Sequence, residues 1–60
     1  MREDARMDTE KQAQELAQYH PASAIRGWLA GYEAHGDAAN AAICERALEI
    51  QGEWQQQQQR

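Results

Sequence analysis

Sixty residues carrying six Lys and Arg against ten Asp and Glu, with a net charge of −4 and an isoelectric point near 4.9, make one small acidic domain at most. That charge argues against nucleic acid as a partner, because phosphate neutralisation needs clustered cations and here they are scattered. The single cysteine, Cys44, excludes an intrachain disulfide. No apolar run approaches the roughly 18 residues of a membrane span, so no membrane partner is expected and a cytoplasmic location is.

Twelve alanines, nine glutamines and no valine or phenylalanine favour helix over strand throughout, and the chain reads as all-α. A first helix is predicted over about 9–19. Thr9 and Gln12 have the spacing of a capping box, in which a hydroxyl and a side-chain amide satisfy orphan backbone N–H groups reciprocally. Residues 1–7 either extend this helix or fray. Its apolar content, Ala13, Leu16, Ala17 and Tyr19, is thin, so it is the least secure element, with Met1 and Met7 as possible additions to the core.

Pro21 disfavours helical backbone at His20 and suits the first turn of a new helix, which is predicted over about 21–35. Ile25, Trp28, Leu29 and Tyr32 recur at spacings of three and four and form its packing face. Ser23, Gly27 and Gly31 form a second strip at every fourth residue. Glycine inside a helix costs about 1 kcal/mol against alanine, so the pair predicts close approach of another helix at Gly27 and Gly31.

Gly36-Asp37 reads as a helix-ending glycine followed at once by an N-cap aspartate, a very tight link between two antiparallel helices. The third helix is predicted over about 38–54, Gly52 either stopping it or being tolerated as it runs on past Trp54, with residues 55–60 as a solvated Gln-rich tail, partly helical by continuation. At 100° per residue, Ala39, Ile43, Ala47, Ile50 and Trp54 form one stripe, and Ala41, Cys44 and Leu48 another beside it. The first can pack on the second helix. The other needs the first helix, a second copy or a different protein. Glu45, Glu49 and Glu53 occupy the remaining arc as a mildly self-repelling ladder that faces water or a basic partner.

No nucleophile elbow, phosphate-binding loop, zinc-protease helix or Cys pair at metal spacing is present, so no catalytic residue, cofactor or metal is expected. His20 reads as a solvated turn or cap residue and His35 as a helix C-terminal group favoured by the macrodipole. Glu33, His35 and Asp37 cluster within one turn, yet capping and dipole chemistry already account for His35 and Asp37.

The stretch "GDAANAAICERALEI", residues 36–50, resembles part of a tetratricopeptide repeat, and what the resemblance implies is a helical hairpin. Asn40 falls at the repeat's small position, His35 at its turn glycine and Gly52 at its closing proline, and no second copy follows at a period of about 34 residues. The likeness is one of hairpin shape and carries no function.

The expected architecture is an antiparallel hairpin with a weaker N-terminal helix, paired as a homodimeric bundle. The expected function is a non-enzymatic interaction module, a small acidic regulator or inhibitor that occupies a partner protein's surface. Its contacts are expected among Gly27, Gly31, Ala41, Cys44, Leu48 and Trp54, rimmed by Glu45, Glu49 and Glu53. The alternative is a helix-turn-helix-like transcriptional or nucleic-acid-associated regulator, against which the charge of the third helix speaks.

Overall fold

A computed structural model describes the backbone of residues 2–58 and the side chains of residues 8–54. The described residues form three helices, α1 (Arg2–Tyr19), α2 (Ala22–Ala34) and α3 (Ala38–Gln58), and no strand. The expected core roles of Met1 and Met7 and the expected solvation of the glutamine side chains at 55–59 lie outside the described residues.

Helix α1 begins seven residues before the predicted cap at Thr9. Residues 2–8 hold good helix formers and neither Gly nor Pro, so nothing interrupts the helix and Thr9 falls within it. At its other end, the His20 N–H still donates to Leu16 O at 3.0 Å. Pro21 then takes extended backbone (φ −74°, ψ 159°), the position just before α2 rather than its first turn. The Pro21 carbonyl accepts from Ala24 and Ile25.

At the link from α2 to α3, Gly36 and Asp37 take the capping roles read from the sequence. Gly36 is left-handed at φ +74°, and its N–H donates to Glu33 O while the Asp37 N–H donates to Tyr32 O at 2.8 Å, the paired bonds of a Schellman ending. Asp37 Oδ1 accepts from the Asn40 N–H at 3.3 Å and Oδ2 from Asn40 Nδ2 at 2.7 Å, capping α3. Gly52 is tolerated within α3, the second of the two readings, and the helix continues past Trp54 to Gln58.

Both α1 and α2 pack on α3. The core is Ala13, Ala17, Ile25, Cys44, Ala47 and Ile50, with Leu16, Leu29, Tyr32, Ile43 and Leu48 packed around it. The buried line on α3 runs Ala41, Cys44, Ala47, Ile50, crossing from one predicted stripe to the other. Two helices flank α3, so the centre of its contact arc lies between the stripes, and Ala39 at the outer margin is exposed.

The thin apolar content of α1 is what lets it dock. Ala13 and Ala17 are buried, and side chains this small bring two helix axes close together. Polar ties reinforce the contact. Gln51 Nε2 donates to Ala17 O at 3.1 Å and to His20 O at 2.8 Å, supplying carbonyls left without partners where α1 ends. Its Oε1 is buried without a hydrogen-bond partner; the opposite amide orientation would set an oxygen against two carbonyls.

The molecule measures 37 × 28 × 15 Å. The radius of gyration, 12.0 Å, exceeds the roughly 10 Å of a rounded domain of this length. No helix among the described residues is long and apolar enough to cross a membrane.

Candidate interaction groove

A groove of about 370 Å³ lies between α1 and α2, floored by α3. Leu16, Ile43 and Cys44 give it an apolar base, and Tyr19, His20, Trp28 and Tyr32 form its walls. Tyr19 is 70% exposed and Trp28 40%. The His20 and Trp28 rings meet edge to face, centroids 4.9 Å apart with an interplanar angle of 81°. That contact holds the indole against the turn. Gln12, Glu15 and Asn40 complete the lining, so no lysine or arginine is among the described residues there.

Sequence reasoning assigned Trp28 and Tyr32 to the hairpin core and His20 to a solvated turn. Ile25 does take that core role, fully buried, and Leu29 and Tyr32 are half-buried. Trp28 lies at the margin of the stripe and opens to the groove. The available signal was an aromatic pair, Trp28 and Tyr32, one helical turn apart, with Tyr19-His20 beside the proline that folds α1 back toward them.

The predicted contact residues are dispersed. Gly27 and Gly31 are exposed, with nothing within 4 Å of the point a Cβ would occupy, so no helix of this chain approaches them. Ala41 and Cys44 are buried within the chain, Leu48 is half-buried and Trp54 is 40% exposed. Burial pushes the Cys44 thiol above its ordinary pKa, which disfavours the thiolate and its nucleophilic chemistry.

The acidic arc is partly neutralised from within. Arg46 binds Glu10 of α1 through two contacts, Nε to Oε1 at 2.9 Å and Nη2 to Oε2 at 3.1 Å. It also reaches Glu49 at 3.2 Å and Glu53 at 3.8 Å. These partners raise the Arg46 pKa further, and Arg46 in turn holds the Glu10 carboxyl below the usual carboxylate range, its hydrogen bonds and charge outweighing the opposing desolvation. Glu45 stands apart beside a second depression, of about 400 Å³, that Glu33 and Asp37 also line. Among the described residues no three His, Cys, Asp or Glu side chains are grouped to hold a metal ion. No protein-family model, curated protein or solved structure matches the chain.

Proposed function

We propose that this protein is a non-enzymatic interaction module, a small acidic regulator or inhibitor that works by occupying a partner protein's surface, with the groove between α1 and α2 as its contact. One observation carries the reading: three of the chain's four Trp and Tyr side chains line a single open groove. Exposed clustered aromatics are costly to leave in water and are typical anchors of protein contacts. The free Cys44 thiol in the core fits a reducing, cytoplasmic setting.

The reading takes α2 and α3 as an antiparallel hairpin. Ala22 and Arg26 share a depression with Leu48 and Gln51, and Glu33 shares one with Ala38 and Ala41. A homodimer is a second reading, favoured by the uncovered Gly27 and Gly31 on α2. For the nucleic-acid alternative, α3 has Arg46 as its one cation within residues 38–58, already engaged by three carboxylates.

A photo-reactive residue placed at Trp28, and separately at exposed Ala39 outside the groove, tests the proposal in the host cell. The expected result is one discrete adduct from position 28 and none from 39. An adduct of two chain masses identifies the partner as a second copy. No adduct at 28, or the same set from both positions, refutes the groove as the contact.

A further inference from the structure

Resting on the groove as a protein contact, we propose that it receives a cationic side chain, arginine or lysine, from a basic segment of the partner. Two properties of the groove call for that chemistry. Trp28, Tyr19 and Tyr32 line one partly enclosed space, and a cation over the face of such a ring gains electrostatic attraction that strengthens as water is excluded. Glu15 supplies a carboxylate on the α1 wall, and Asp8, seven residues earlier, lies on the same side of α1 about two turns away.

Charge complementarity extends beyond the walls. With no cation among the described lining residues and a net charge of −4, the groove draws a basic segment and repels an acidic one. Of the cations among residues 8–54, Arg46 is held by Glu10, Glu49 and Glu53, Arg26 lines the depression with Leu48 and Gln51, and Lys11, exposed on α1 one turn before Glu15, is not among the groove's lining residues. A volume of about 370 Å³ is at the lower end of ligand sites, in keeping with one long side chain and its neighbours rather than a large cofactor. The planar guanidinium of arginine stacks on aromatic faces while bonding a carboxylate, so arginine suits both features at once.

The test is an NMR titration of the full chain with a short arginine-glycine peptide, blocked at both ends, against the same peptide with citrulline, which keeps the shape and removes the charge. The arginine peptide is expected to shift the Trp28 indole and the Tyr19 and Tyr32 signals saturably, with the citrulline peptide leaving them in place. Glu15→Gln should weaken binding by about two- to fivefold, and Trp28→Leu by at least about threefold, with helicity retained. Equal binding of citrulline overturns the cationic occupant while leaving the groove as a docking surface. Shifts confined to Glu45, Glu49 and Glu53 overturn it as diffuse attraction, and an unmoved Trp28 with both peptides overturns it outright. The Trp28 crosslinking result stands independently of these outcomes, so the two proposals fail separately.

Discussion

Replacing Gly27 and Gly31 together by alanine tests whether the outer side of α2 is open. Both glycines are in the body of α2 without positive φ, and a Cβ at either meets nothing within 4 Å. Each substitution removes backbone entropy lost on folding, about 0.5–1 kcal/mol, without a steric penalty. The pair should add about 1–2 kcal/mol, large against the roughly 3–9 kcal/mol expected for a domain of 60 residues. At this size that raises Tm by about 8–16 °C. Thermal unfolding followed by circular dichroism, at concentrations spanning two decades, reads the effect, with light scattering on the same samples. An unchanged or lowered Tm would refute an open face. If the molar mass also falls, a second copy approaches α2 there, as the small-residue spacing first implied.

Further tests address the contacts that place α1 and α2. Ile25→Ala removes a fully buried side chain and should cost about 2–5 kcal/mol, enough to leave much of the population unfolded in urea titrations; a loss under 1 kcal/mol would mean α2 does not depend on this anchor. Gln51→Ala should cost about 1 kcal/mol through its two hydrogen bonds to the end of α1, and Gln51→Glu should cost more, since both carboxylate oxygens are acceptors facing carbonyls. A Gln51→Glu protein as stable as the parent would refute that tie. Glu10 is depressed in the folded state, so its stabilisation is present above the usual value near 4.5 and is lost as pH falls through the lower folded value. Urea midpoints between pH 6 and 2 should therefore fall less steeply in Glu10→Gln, with Arg46 charged throughout; parallel profiles would contradict the assignment.

Some local chemistry was legible in the sequence, though the capping-box spacing at Thr9 and Gln12 did not mark the start of α1. The helical class, the break at Pro21 and the Gly36-Asp37 link with its cap each depend on backbone preferences and hydrogen bonds spanning at most a turn or so. Gly52 left two readings open, a stop or a tolerated glycine. Its helical cost is about 1 kcal/mol, and Ile50 in the core and Gln51 bonded to α1 anchor the residues just before it. The long-range arrangement was not legible, because a periodicity fixes which residues share a face and leaves open what covers that face. Ala13 and Ala17 looked too small to hold α1, yet their size lets it lie close on α3. The small strip at Gly27 and Gly31 looked like the close seam, yet no helix of the chain comes near it. Helical spacing by itself determined three amphipathic rods and their joints. Only the tertiary structure decided that α3 lies between the other two, which turns Trp28 from an expected core residue into one wall of an open aromatic groove.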